Sequence, residues 1–230
     1  MRTEGLTRVA RRLLVLGVLG GASTAFAGPC VIDTLANYVA LGGAGCTISG
    51  EIADNFAFSV LSASGGYTPL NDTQITVTPT FSASQYNLMF SSTGFSVVGS
   101  EFVHYEIDFT WDPVVIGGED EMITHSPVFP GLAKVTTDLC AGSTFGALCP
   151  PPTNTLTVFH DGVSPHLTDV TFFAPTTLIG TQSFIDLEAN GASANMDGFI
   201  TSVFAPEPAT AGLLLAAALT GLVRRRRRAS

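Results

Sequence analysis

Basic residues are almost absent from the middle of this chain. Of ten Lys and Arg in 230 residues, four precede residue 28 and five follow residue 223, which leaves Lys134 alone between them. Of 19 Asp and Glu, only Glu4 and Glu207 fall outside residues 28–205. One lysine against 17 carboxylates gives that stretch a net charge of −16, where the whole chain has −9. With no basic patch to neutralise phosphates, nucleic acid is excluded as a partner. Residues that fill helices are scarce too. Lys, Arg, Glu and Leu give way to Thr, Ser, Gly, Phe and Val. There is no G-x-S-x-G elbow, no phosphate loop and no dinucleotide fingerprint. No C-x-x-C occurs and the four histidines are scattered, which speaks against zinc. The chain shows no internal repeat and no long disordered linker. The expectation is a protein that is not an enzyme and has no obligatory cofactor.

What is present is clearest at the two ends. Arg2, Arg8, Arg11 and Arg12 form a positive start, and residues 13–20 are apolar. Ala25-Phe26-Ala27 has the small-x-small form of a signal peptidase site, with cleavage expected between Ala27 and Gly28. At the other end, Pro206-Glu207-Pro208 precedes 15 uncharged residues, 209–223, and then Arg224, Arg225, Arg226, Arg227 and Arg228. As a helix, 15 residues span roughly 22 Å, short of a hydrocarbon core of about 30 Å. Flanking backbone and snorkelling arginines cover part of the difference. Five arginines in a row hold the C-terminus on the cytoplasmic side. The two prolines keep the junction extended and accessible. A permanent tail anchor is the simple reading of these features. A signal for a membrane-bound processing enzyme is the sharper one.

That three-part tail resembles the PEP-CTERM sorting signal. The resemblance implies export in a Gram-negative bacterium, recognition by the membrane-embedded enzyme exosortase, and cleavage near Pro206, Glu207 and Pro208, which would be substrate residues and not catalytic ones. It also implies delivery to the cell surface or extracellular matrix. A second stretch, residues 35–48 followed by Phe56-x-Phe58, resembles the opening of one group of PEP-CTERM proteins with no assigned activity. The expected organisation is therefore a signal peptide over 1–27, one domain over 28–205 and a sorting signal over 206–230.

The middle 178 residues are enough for one domain with a real core. Ile32, Leu35, Ala36 and Val39 recur at helical spacing, predicting a short helix over 31–41. The clearest strand covers 102–111. Val103, Tyr105, Ile107, Phe109 and Trp111 share one face, expected to be core; His104, Glu106, Asp108 and Thr110 share the other, expected to meet water. Further strands are expected near 56–60, 75–78, 132–137, 155–160, 170–173, 183–189 and 199–204. Asn190-Gly191 signals a hairpin turn between the last two. Short strands with Gly and Pro turns predict an all-β fold, a β-sandwich of Greek-key or jelly-roll type, with a barrel as the alternative.

Four cysteines in an exported body point to disulfides. Of the three connectivities, Cys30–Cys46 and Cys140–Cys149 each close a local Gly-rich loop. Three groups are candidates for chemistry. His104, Glu106 and Asp108 on one strand face, with Asp112 beyond, have the elements of a metal site or an acid pair. Gly117-Gly118-Glu119-Asp120-Glu121 reads as an exposed acidic loop with the donors for a hard cation. Asp186, Glu188, Asn190 and Asp197 occupy positions 1, 3, 5 and 12 of a Ca²⁺-loop pattern, with Gly191 at position 6, but Ser193 stands where that pattern wants an apolar residue. His160-Asp161 and His166 flank what reads as a hairpin loop.

Two functional readings follow from these residues. One is a structural or interaction protein of the cell surface or the exopolysaccharide matrix of a biofilm, with exosortase and signal peptidase as partners during export. The other is a secreted carbohydrate-binding module or hydrolase on a sandwich scaffold. A sugar binder needs grouped exposed aromatics, and Trp111 is expected to point inward.

Overall fold

A computed structural model describes residues 27–82, 85–112, 116–124, 131–144 and 152–204. The predicted signal peptide up to residue 26, Cys149, the Pro206-Glu207-Pro208 motif and the Arg224 to Arg228 cluster lie outside the described residues. Strands dominate. In chain order they are β1 (Gly28–Pro29), β2 (Asp33–Thr34), β3 (Cys46–Ile48), β4 (Glu51–Ala63), β5 (Thr76–Ser82), β6 (Gln85–Ser91), β7 (Ser96–Gly99) and β8 (Phe102–Asp112). Then come β9 (Ile116–Thr124), β10 (Leu132–Ala141), β11 (Asn154–His160), β12 (Thr168–Thr176), β13 (Ile179–Glu188), β14 (Ala192–Asn195) and β15 (Gly198–Phe204).

They form two large sheets. One has the order β1-β3-β4-β8-β13-β10-β11, the other β12-β9-β15-β6-β5-β2, and β14 pairs with β7 as a small ribbon. Pairing is antiparallel throughout, except that β1 runs parallel to β3. Late strands are inserted between early ones: β13 between β8 and β10, β15 between β6 and β9. These are crossovers of the Greek-key kind and not an up-and-down meander. The fold is the all-β sandwich that the composition predicts.

The inner face of β8 sets the core. Val103, Tyr105, Ile107, Phe109 and Trp111 are all fully buried. Phe109 meets Phe90 of the opposite sheet at 5.8 Å between ring centroids, and Phe90 stacks on Phe199 at 5.1 Å. Each such side chain stabilises the fold by about 1.5–3 kcal/mol relative to exposure. One strand thus supplies a large share of the inter-sheet packing.

The predicted helix is shorter than its periodicity suggests. Helix α1 covers Leu35–Leu41, while Val31 and Ile32 are exposed and Asp33–Thr34 pair with β5. Thr34 explains the start: its backbone is extended and its hydroxyl accepts from the Asn37 N–H, an N-cap. Nearby, Cys30 and Cys46 form a disulfide with Cα atoms 4.8 Å apart, as expected from the loop they close. Cys140 is also disulfide-bonded; its expected partner, Cys149, lies outside the described residues. A formed disulfide suits an extracellular or periplasmic compartment. Gly28, the residue after the expected cleavage point, pairs with Cys46 at the sheet edge and is exposed.

Two local expectations change. Asn190 and Gly191 do form a tight turn, both at positive φ (49° and 89°). The chain leaving it does not return along β13, however; it pairs with β7. And the acidic stretch 117–121 is no exposed loop. It lies within β9, between β12 and β15, so its residues alternate between core and surface.

Candidate functional site

The outward face of the seven-stranded sheet carries most of the polar residues singled out from the sequence. Register places them in rungs across the strands. Phe102 stands opposite Glu188. The next rung runs His104–Asp186–Lys134, and the one after it Glu106–Phe184–Thr136. Below them lies Asp108–Gln182–Asp138.

Asp186 is the hub. Its Oδ2 accepts from Lys134 Nζ at 2.6 Å, and its Oδ1 meets His104 Nδ1 at 2.6 Å. Burial pushes the Asp186 carboxyl up, but the hydrogen bonds and charges of Lys134 and His104 outweigh burial and hold it below the ordinary carboxylate range. The lone basic residue of the body is therefore used to neutralise one half-buried acid. Glu106 accepts from Gln182 Nε2 and from Ser59 Oγ (3.3 Å).

Lower on the same face the expectation of a wetted surface fails. Asp108 and Thr110 are buried, whereas His104 and Glu106 on the same face are half-buried. Burial first, and the charge of Glu106 second, push the Asp108 carboxyl up to about 8. This is an acid pair in the chemical sense, with Asp108 the proton holder, but it is not open to solvent as an acid–base site for hydrolysis must be.

At the upper end the rungs open into a cleft of about 450 Å³ lined by Ser100, Glu101, Phe102, His104, Glu188, Asn190 and Gly191. Phe102 is partly exposed and tilts against His104, with ring centroids 5.5 Å apart. Glu101 is anchored by the Val98 N–H (2.9 Å). The cleft offers an aromatic edge, an imidazole, two carboxylates and an amide. That set suits a polar neutral ligand better than an anion.

The Ca²⁺-loop candidates are not brought together. Asp186 and Glu188 belong to a strand, with Asp186 committed to Lys134 and His104. Asn190 sits in the turn, and Asp197 lies exposed beyond β14. Among the described residues, no group of three or more His, Cys, Asp or Glu is gathered to hold a metal. His160 and His166 do flank a loop: His166 and Phe159 exchange both backbone hydrogen bonds, and Asp161 Oδ1 accepts from the Val163 and Ser164 N–H groups. Sequence reasoning missed the cleft because it depends on the β7–β8 and β13–β14 corners meeting.

No family model and no curated protein matches this sequence. Among solved structures, the chain is similar to TmCBM61 in complex with β-1,4-galactotriose, at 12% identity and a TM-score of 0.30, covering 64% of this chain and 86% of that one. It is also similar to the Glycosylation Associate Protein (Gap123) complex from Streptococcus agalactiae, at 5% identity and a TM-score of 0.30, covering 70% of this chain but 27% of that one. At these scores neither likeness bears on function.

Proposed function

We propose that the chain is an exported, non-enzymatic protein of the cell surface or extracellular matrix, with a structural or interaction role, sorted by exosortase at its C-terminal signal. The observation that carries this reading is the three-part C-terminal sequence: Pro206-Glu207-Pro208, then 15 uncharged residues, then five arginines. Three features support it. The Cys30–Cys46 bridge fits an oxidising compartment. The charge of −16 on residues 28–205 favours solubility outside the cell. Gly28 lies exposed at a sheet edge, which leaves the expected cleavage point at the surface of the fold. Intact mass of the protein recovered from cells and from medium tests the reading. The expected species begins at Gly28, ends near residue 205 and contains two disulfides. A species that retains residues 209–230 overturns the sorting reading and leaves a tail anchor.

The cleft at Phe102 favours a second reading, a module that binds neutral glycans of the matrix. The expected outcome on a glycan array is binding that Phe102→Ala weakens at least tenfold with the fold intact. An array without signal removes this reading.

A further inference from the structure

The acidic stretch 117–121 has a role that neither proposed function uses. In β9 its alternation sends Asp120 outward to Gln85, and Glu119 and Glu121 inward between the two sheets, where both are fully buried. There they meet hydroxyls from both sheets. Thr201 of β15 donates to Glu121 Oε2 at 3.0 Å and lies 3.2 Å from Glu119 Oε1. Thr137 of β10, across the interior, lies 2.7 Å from Glu121 Oε2 and 2.9 Å from Ser183 Oγ of β13. Five oxygen-bearing side chains from four strands thus converge in the interior between the two sheets.

The cluster is unfinished as it stands. Glu119 Oε2 and Glu121 Oε1 are buried without any hydrogen-bond partner, and so is the Thr181 hydroxyl on β13. Among the described residues no side-chain cation completes it: Lys134 faces the opposite side of its sheet and is bound to Asp186. The other charge near Glu121 is negative: Asp169 of β12 stands opposite it in register, and Asp120 adjoins it in sequence. Two carboxylates in a dry interior are stabilised by a positive partner, and two of their oxygens lack the hydrogen bonds that would otherwise satisfy them. The donor set is all oxygen, carries two negative charges and has hydroxyls to fill further positions, which is the chemistry of a hard divalent cation.

We propose that Glu119 and Glu121, with the hydroxyls of Thr137, Ser183 and Thr201, form an interior site for one calcium ion that ties β9 and β15 to β10 and β13. The ion would link the two sheets in the manner of a staple and neutralise the pair. Its entry would be favoured outside the cell, where modules of this kind work at Ca²⁺ concentrations of about 0.1–1 mM.

The test uses the exported protein as purified. Its calcium content is measured after exhaustive gel filtration, and its thermal midpoint is recorded in chelator and in about 1 mM CaCl₂. The expected result is one calcium per chain, or a midpoint raised by about 3 °C or more on adding Ca²⁺. Glu119→Gln and Glu121→Gln should abolish that response, while Asp120→Asn, on the outward face, keeps it. A wild-type protein that holds no calcium and shows no Ca²⁺-dependent midpoint overturns the site, as does a response that survives both Gln variants. The wild-type measurements decide the matter even where a Gln variant fails to fold.

Discussion

Asp108 shows how one side chain can differ from the pattern around it. It alternates outward with His104 and Glu106, yet it is buried and its carboxyl is pushed up to about 8 by desolvation and by Glu106. A carboxyl whose folded value lies above its unfolded value binds its proton more tightly in the folded state. Stability from this group is therefore full below about pH 4 and falls as pH rises toward 8. Asp108→Asn keeps the shape and removes the ionisation. Denaturant unfolding should show wild type and variant alike near pH 4, with the variant gaining on the order of a few kcal/mol by pH 9. A variant less stable than wild type at pH 9 would contradict this account.

At the level of elements, the N-terminal corner depends on a covalent link. β1 and β2 are two residues each, too short to hold by pairing alone, and β1 is an edge strand. The bridge between Cys30 and Cys46, 16 residues apart, joins this segment to β3. Tyr38 of α1 adds a hydrogen bond to the Val31 carbonyl (2.7 Å) and an edge contact with Phe56. Closing a loop of that length is worth about 3 kcal/mol through the unfolded chain. Replacing both cysteines with serine should lower unfolding free energy by about that amount, with amide exchange rising first in residues 28–48. Unchanged stability would mean that strand and helix packing suffices there.

For the whole molecule, charge and architecture work against each other. Seventeen carboxylates lie in a body with one lysine. Most can spread over solvated faces, where self-repulsion is screened. A sandwich has two outward faces and one interior, and strand alternation cannot keep every acid outside once a strand such as β9 is acidic at consecutive positions. Glu119 and Glu121 are the result. β1 begins at the sheet edge, and β15 ends at Phe204, two residues before Pro206.

Composition and alternation determined much of this by themselves. Thr, Val and Phe in place of Lys, Glu and Leu made the chain a β protein, because β-branched and aromatic side chains pack on pleated surfaces. The strict alternation from Val103 to Trp111 identified the core strand and its buried face. Short Gly-rich spacing identified the Cys30–Cys46 pair, since loop closure is a local property. The tertiary structure decided what depends on neighbours. Thr34 capping and the pairing of Asp33 with Val77 shortened the helix. Alternation alone did not separate the buried Asp108 from the half-buried His104 and Glu106 on the same face. Glu119-Asp120-Glu121 looked like a loop because turn and edge residues share its composition. It became a strand only because β12 and β15 were there to pair with it, and its two glutamates became neighbours of Thr137 and Ser183, residues 16 and more positions away in the chain, only because the sheets face each other.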